Sequence, residues 1–180
     1  GIVIERGEVE ITDSKVKGET GIEIKERGNI KHKGLEINSD KVGIDYAGER
    51  DIEIKGIKIT SKETALKNEG KQIKITDSEI QGNIETKSGE VLEIDNSKIS
   101  GVRIENNSQT MIRASEIKGE SLDIKENGEI NIEDTIVRID KYIQNEGNSR
   151  ISIINSKVYS GEGLRTNGNE IIDIENSEIE

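Results

Sequence analysis

Carboxylates are the side chains of this sequence that could most readily do chemistry, because 37 of its 180 residues are Asp or Glu. Two carboxylates at a fixed separation can cleave a glycosidic bond, one as the acid and the other as the nucleophile or base. With so many acids, pairs at such separations arise by chance. Most of the acids also alternate with lysines at a regular spacing, which is typical of structural ion pairs. We therefore predict no catalytic residue, and we expect that the chain is not an enzyme.

Metal binding has little support from the residue types. The chain contains no cysteine and a single histidine, His32, so a transition-metal site would lack its preferred ligands. Calcium prefers oxygen ligands and is the alternative that stays open. Asp13, Asp77 and Asp134 share a column in the repeat described below, but they fall in distant coils and cannot share one ion. We predict no cofactor and no metal site; a calcium titration followed by a melting curve would test the calcium alternative.

Charge and hydropathy limit the partners. The net charge of −11 argues against nucleic acid, because phosphate backbones are bound by Lys and Arg. No run of 18 apolar residues is present, so we expect no membrane-spanning helix and no membrane partner. A composition of 30% hydrophobic and 35% charged residues would by itself suggest disorder. The regular spacing of isoleucine contradicts disorder and indicates an ordered repeat.

Alternation of apolar and polar residues recurs along the whole chain and predicts strands with one buried face. The second apolar residue of each alternating segment serves as an anchor for aligning repeats. The anchors are Ile11, His32, Ile54, Ile75, Ile94, Ile112, Ile132, Ile153 and Ile174. Each repeat is therefore 18 to 22 residues long. We expect His32 to pack inward, or to occupy a strained position, because it stands where the other anchors are isoleucine.

Fixed positions after each anchor support the alignment. Five residues later stands a branched aliphatic residue in every repeat: Val16, Ile37, Ile59, Ile80, Ile99, Ile117, Val137, Val158 and Ile179. Two residues after the anchor stands Gly, Asn or Asp in every repeat except one, where Ala114 occurs. These residues tolerate a left-handed backbone, so the position is a corner between two strands. We expect the corner at Ala114 to differ.

Charges at an outward position give an independent test of the alignment. Four residues after the anchor the sequence runs Lys15, Glu36, Lys58, Glu79, Lys98, Glu116, Ile136, Lys157 and Glu178. Opposite charges stabilise neighbouring strands, whereas like charges oppose pairing. The alternation of sign therefore indicates parallel, in-register stacking of successive coils. A further strand follows in each repeat, as at Ile22 and Ile24, so we expect three short strands per coil.

The corner sequences resemble those of a known superfamily. Asp95-Asn96-Ser97-Lys98-Ile99, Ile154-Asn155-Ser156-Lys157-Val158 and Glu175-Asn176-Ser177-Glu178-Ile179 are similar to repeats of the pectate-lyase-like superfamily and its adhesin relatives. The resemblance implies an all-β fold: a right-handed parallel β-helix, or β-solenoid, of about eight coils. We expect one domain over residues 1–180, which a longer solenoid could contain. Enzymes of this superfamily cleave polysaccharides with acidic and basic residues clustered on an outer face, sometimes with calcium, but no such motif transfers to this sequence.

These observations predict a non-catalytic structural solenoid. It would be a designed or idealised repeat scaffold, or a segment of an extracellular adhesin or filament and hence extracellular or at the cell surface if natural. The alternative is a β-helix that binds or cleaves polysaccharide, with carbohydrate as its partner. The sequence starts within a strand pattern and stops after a corner, which exposes strand edges and favours end-to-end or lateral self-association. Outward apolar residues at Met111, Ile136, Ile154 and Tyr159 predict a contact patch.

Overall fold

Isoleucine alternation produces strands along nearly the whole chain. The computed structural model describes residues 1–86, 91–101, 103–106, 109–124, 128–168 and 171–180, with only the backbone described at 103–106, 124 and 145. The described residues contain 21 strands and no helix. The first seven strands are β1 (Ile2–Thr12), β2 (Lys15–Lys33), β3 (Glu36–Gly48), β4 (Ile52–Lys55), β5 (Lys58–Asn68), β6 (Ile73–Thr76) and β7 (Glu79–Thr86).

From β8 onward each coil is divided into three short strands. They are β8 (Val91–Asp95), β9 (Lys98–Ser100), β10 (Arg103–Asn106), β11 (Gln109–Arg113), β12 (Glu116–Gly119), β13 (Ser121–Ile124), β14 (Glu129–Glu133), β15 (Ile136–Ile139), β16 (Tyr142–Gly147), β17 (Arg150–Ile154), β18 (Lys157–Ser160), β19 (Gly163–Gly168), β20 (Ile171–Glu175) and β21 (Glu178–Ile179). In the first coils the same segments run together, so that β2 alone is 19 residues long. The expected three-strand coil is therefore complete only in the later part of the chain.

All strand pairs are parallel, and they form a β-solenoid of about eight turns. A seven-stranded sheet contains β4, β6, β8, β11, β14, β17 and β20, and the other strands form a bent 14-stranded sheet. The branched aliphatic residues pair in register from Val16 to Ile37 and onward to Ile179. The predicted parallel stacking is confirmed, whereas the right-handed sense stays a prediction.

The core is a set of axial columns of isoleucine. Ile54, Ile75 and Ile94 lie over one another in adjacent strands, and each is at most 1% exposed. Burying such a side chain contributes about 1.5–3 kcal/mol relative to leaving it exposed. Because one isolated coil could not enclose these side chains, the coils stabilise one another through stacking.

A left-handed backbone conformation forms the corner after the anchor. Every corner residue after an anchor has a φ between 45° and 69°: Asp13, Gly34, Gly56, Asp77, Asn96, Ala114, Asp134, Asn155 and Asn176. The expectation that Ala114 would differ is wrong, because its φ of 47° matches the other corners. The conformation is imposed by the stacked neighbours, which outweigh the steric preference of an alanine.

Buried hydroxyls connect successive corners. The residue after each corner in the C-terminal half is Ser or Thr, and its hydroxyl donates a hydrogen bond to the carbonyl two residues earlier. In Ser97 this bond runs to the oxygen of Asp95 at 2.8 Å. Each hydroxyl also accepts a hydrogen bond from the backbone N–H of the preceding coil, as from Ser97 to Ser115 at 3.1 Å. The column thus satisfies buried backbone donors that the corner removes from the sheet.

Two successive anchor residues, His32 and Ile54, are not joined by strand pairing. Ile11 pairs with His32, but the seven-stranded sheet begins at β4, and no strand pairing joins His32 to Ile54 within the described residues. His32 is half-buried, and its Nδ1 atom is buried without a hydrogen-bond partner there. Burial lowers the pKa of His32. The interruption therefore coincides with the one anchor that is not apolar, in keeping with the inward or strained position expected for it.

Candidate functional site

A groove on the bent sheet is a large concave feature that the described residues form. Its volume is about 1180 Å³, and it runs parallel to the solenoid axis. The groove follows a bend in the coils, which lies two residues after the inward-facing branched aliphatic residue of each coil. Its floor consists of small residues in successive coils, namely Gly18, Ser39, Ser61, Gly82, Gly101 and Gly119.

Close stacking of the backbone explains the glycines in this floor. A Cβ atom on Gly101 would lie 2.4 Å from the carbonyl oxygen of Gly82. A Cβ on Gly119 would lie 2.7 Å from the carbonyl oxygen of Gly101. Real Cβ atoms do not approach a carbonyl so closely, so the bend requires glycine at these two positions, whereas Ser39 and Ser61 are accommodated in earlier coils. The groove is therefore a consequence of how tightly the coils stack at this bend.

Polar side chains form one wall of the groove. They occupy one in-register outward column: Lys17, Asn38, Thr60, Gln81, Ser100 and Lys118. The four central members are uncharged and can both donate and accept hydrogen bonds. Five steps of about 4.8 Å give this wall a length of roughly 24 Å. The wall could follow an extended, hydroxyl-rich ligand along the axis.

Ion pairs between neighbouring coils form the opposite wall. Asp40 contacts Lys62 at 2.6 Å, and Glu120 pairs with Lys141. The hydrogen bond from Lys62 lowers the pKa of Asp40. A carboxylate held in its ionised form cannot donate the proton that a leaving group needs. Asp40 is therefore poorly suited to acid catalysis, and both acids act as partners of lysine.

The outward charge column behaves in the same way outside the groove. Lys15 contacts Glu36 at 2.8 Å, and Lys157 contacts Glu178 at 3.2 Å. Glu116 contacts Lys118 and Arg138, and the hydrogen bond from Lys118 is the main cause of its lowered pKa. The predicted alternation of charge thus forms ion pairs between adjacent coils at Lys15–Glu36 and Lys157–Glu178, whereas Glu116 pairs with residues outside the column. Exposed pairs contribute little to stability because solvent screens them, so their main effect is on register.

Among the carboxylates in the described part of the chain, Asp45 has a raised pKa. Burial raises it, while Lys67 at 3.9 Å opposes the shift. A perturbed carboxyl in a cleft would mark a candidate active site. Asp45 does not line the groove, however. Among the side chains that the structure describes, those lining the groove include no aromatic residue and no arginine, the residues that commonly contact sugar rings and anionic groups.

The four residues of the predicted contact patch lie on two sheets. Met111 in β11 stands between Glu93 and Asn131, and it is half-buried. Ile154 stands at the end of β17, two strands further along the same sheet. The structure does not bring Met111 next to the other members.

The remaining two members lie beyond the corner, on the bent sheet. Ile136 in β15 is 38% exposed and stands between Glu116 and Lys157. Tyr159 in the next strand lies beside Arg138, whose guanidinium is 5.2 Å from the centre of the tyrosine ring. Ile136, Ile154 and Tyr159 therefore lie around one corner in neighbouring coils, and a contact surface there stays a prediction.

The groove itself was missed by the sequence analysis. The signal that could have revealed it is the column seven residues after the anchor, where Gly or Ser recurs from Gly18 to Gly119. The uncharged run at the preceding position, from Asn38 to Ser100, is a second signal. Both are visible only after the coils are aligned, because neither forms a motif along the chain.

Among the described residues, no group of three or more His, Asp or Glu side chains is arranged to hold a metal ion. No helix in that part of the chain is long and apolar enough to cross a membrane.

Comparison with protein-family models, with curated proteins and with solved structures finds no match to this chain. The class that the fold defines is therefore the parallel β-solenoid, with about eight turns.

Proposed function

We propose that this chain is a non-catalytic structural solenoid, either an idealised repeat scaffold or a segment of an extracellular adhesin or filament. The observation that carries the proposal is the use of outward carboxylates in contacts between coils, as in Lys58 with Glu79 at 3.2 Å. The left-handed Asn-Ser corners support placing the chain with the pectate-lyase-like superfamily and its adhesin relatives. Fold alone does not assign an activity, so the outer surface must decide.

The electrostatics of the surface favour a structural role. An acid–base pair needs two carboxyls whose surroundings separate their pKa values. On the outer faces the pKa values of Glu36, Asp40 and Asp77 are all lowered, by hydrogen bonds from Lys15, Lys62 and Asn96 respectively. Such a surface holds its charges in fixed pairs, which suits a rigid rod better than it suits proton transfer.

Polysaccharide binding is the second candidate, and the groove favours it. The run from Asn38 to Ser100 presents neutral hydrogen-bonding groups at intervals of about 4.8 Å. A glycan chain lying along the axis could exchange hydrogen bonds with this wall. No aromatic residue lines the described part of the groove, which argues for weak binding because stacking on the sugar faces would be missing there.

Incubation with a panel of neutral and acidic polysaccharides tests the main proposal. We expect no release of reducing ends and no unsaturated product, with or without added calcium. Reproducible turnover by the purified chain that disappears in Asp40→Asn or Glu120→Gln would refute the structural role. These substitutions remove one groove carboxylate each and retain its shape.

Calorimetry with the same polysaccharides tests the second candidate. Ser100 is exposed in the groove wall, so Ser100→Tyr should block a ligand without disturbing the core. Asn131→Tyr on the seven-stranded sheet is the matched control. Binding that is lost in Ser100→Tyr and kept in Asn131→Tyr would support the groove, and binding unaffected by both would exclude it.

A further inference from the structure

Hydrogen-bonding groups without a partner line the middle of the groove. The side chains of Thr60, Gln81 and Ser100 form no hydrogen bond with any described residue. Ser39 in the floor is only 7% exposed, and its Oγ atom has no partner among those residues either. Polar groups that are shielded from water without a partner are costly, so the groove gains hydrogen bonds from a polar ligand that lies along it.

The charges in this central part of the groove cancel. Among the described residues of the four coils from Asn38 to Gly101, the charged side chains that line the groove are Asp40 and Lys62. They contact each other at 2.6 Å, and their hydrogen bond raises the pKa of Lys62 and lowers that of Asp40. Both groups are therefore ionised, and each neutralises the other.

This charge pattern selects against an acidic glycan. A chain with a carboxylate on every ring would place several negative charges over the neutral run, where the described lining holds no free cation. Desolvating an unpaired charge is costly, and Asp40 would add repulsion. Lys62 cannot compensate without giving up its contact with Asp40. A neutral glycan meets none of these costs.

Neutral sugar hydroxyls match the groove wall in chemistry and in spacing. A hydroxyl both donates and accepts hydrogen bonds, as do the hydroxyls of Thr60 and Ser100 and the amide of Gln81. The coils repeat at about 4.8 Å, which is close to the length of one sugar ring in an extended glycan. The three steps from Asn38 to Ser100 amount to roughly 14 Å, so about three or four rings would cover the neutral run.

We infer that the groove binds an extended, uncharged glycan segment along the solenoid axis, between Asn38 and Ser100. The inference rests on polysaccharide binding, the second candidate function, and it names the class of ligand for that site. Binding would rely on hydrogen bonds without aromatic stacking from the described lining, so we expect dissociation constants of about a millimolar.

Titration of the isotope-labelled chain with oligosaccharides, followed by nuclear magnetic resonance, tests the inference. The neutral probes are cello-oligosaccharides of increasing length, and the acidic probes are oligogalacturonides of the same lengths. We expect the neutral oligomers to shift the side-chain amide signals of Asn38 and Gln81, with an affinity that levels off at about four rings. The acidic oligomers should bind about tenfold more weakly, because their carboxylates find no free cation.

Two substitutions separate the contribution of the wall from that of the ion pair. Gln81→Ala removes an exposed amide and should weaken neutral binding about threefold to tenfold. Asp40→Asn releases Lys62 into the groove and should raise the affinity for acidic oligomers about fivefold relative to neutral ones. Glu79→Gln is the matched control, because it releases Lys58 from a 3.2 Å contact outside the groove. It should leave the preference unchanged.

The outcomes separate this inference from the function on which it rests. Tighter binding of the acidic oligomers in the groove would overturn the neutral class and leave polysaccharide binding in place. No binding of either probe up to its solubility limit would overturn both and leave the structural solenoid. Shifts that avoid Asn38 and Gln81, or that persist in Ser100→Tyr, would place the glycan elsewhere and overturn the inference. A preference that Asp40→Asn does not change would contradict the charge argument.

Discussion

The backbone N–H of Ser78 donates a hydrogen bond to the hydroxyl of Ser97 at 3.1 Å, across 19 residues of sequence. The same hydroxyl donates to the carbonyl of Asp95 at 2.8 Å, so it links two coils at a left-handed corner. The arrangement recurs down to Ser177. It replaces the sheet hydrogen bonds that the corner interrupts.

Removing the hydroxyl should leave a buried donor without a partner. We expect Ser97→Ala to lower the free energy of unfolding by about 1–3 kcal/mol, measured by urea denaturation. Ser97→Thr should cost less, because Thr135 performs the same role in the column. Ser100→Ala on the exposed strand is the control and should stay within about 0.5 kcal/mol of the original. Equal losses in Ser97→Ala and Ser100→Ala would refute the hydroxyl column.

Ala114 provides a test of the corner conformation. An L-residue at a φ of 47° costs about 1–2 kcal/mol relative to glycine. We therefore expect Ala114→Gly to raise the free energy of unfolding by about 1 kcal/mol. Ala47→Gly, at an exposed strand position, should lower it by about 0.5–1 kcal/mol. Destabilisation by both substitutions would show that Ala114 is not left-handed.

His32 should make stability depend on pH. Burial lowers its pKa in the folded chain, so the unfolded chain binds the proton more readily. Its contribution is therefore fully present above the unfolded pKa of about 6.5 and is lost as pH falls toward the folded pKa. We expect the stability difference between His32→Ile and the original chain to be constant above neutrality and to grow below about pH 6.5. The carboxylates titrate alike in both chains, so their effect cancels in this comparison. A stability difference that stays constant down to pH 5 would contradict the burial of His32.

Gly101 tests why the groove floor is made of small residues. A Cβ there would meet the backbone carbonyl of Gly82, which cannot move without disturbing the next coil. We expect Gly101→Ala to destabilise the chain by about 1–3 kcal/mol in a urea titration. The reference is Ser100→Ala in the adjacent outward position. Tolerance of alanine at Gly101 would mean that the coils are further apart at the bend.

Much of the fold follows from local sequence, because two properties repeat with the coil. Isoleucine alternation fixes which side chains face inward, and Gly, Asn or Asp fixes the corners, so the stacking of Ile54 on Ile75 could be predicted. Ala114 misled the prediction because intrinsic preference was weighed without the neighbouring coils that hold its backbone. The groove could not be predicted from the chemistry of its residues, since it arises from the approach of Gly82 and Gly101. The missing strand pairing between His32 and Ile54 could not be predicted either, because pairing depends on two segments that are distant in sequence.

Parallel, in-register stacking is the central claim, and a disulfide tests it most directly. The chain has no cysteine, so a pair introduced at Lys58 and Glu79 is the only possible bridge. These residues are register partners in adjacent strands and face the same side. Strand neighbours lie within the 4.4–6.8 Å Cα separation of disulfides, roughly 4.8 Å.

We predict that the double variant Lys58→Cys, Glu79→Cys forms its disulfide almost completely. The double variant Lys58→Cys, Ile80→Cys should form very little, because the second sulfur points into the core. Intramolecular disulfide formation, read by thiol counting and mass spectrometry, is the measurement. Equal oxidation of the two pairs, or preferential oxidation of the second, would contradict the stacking.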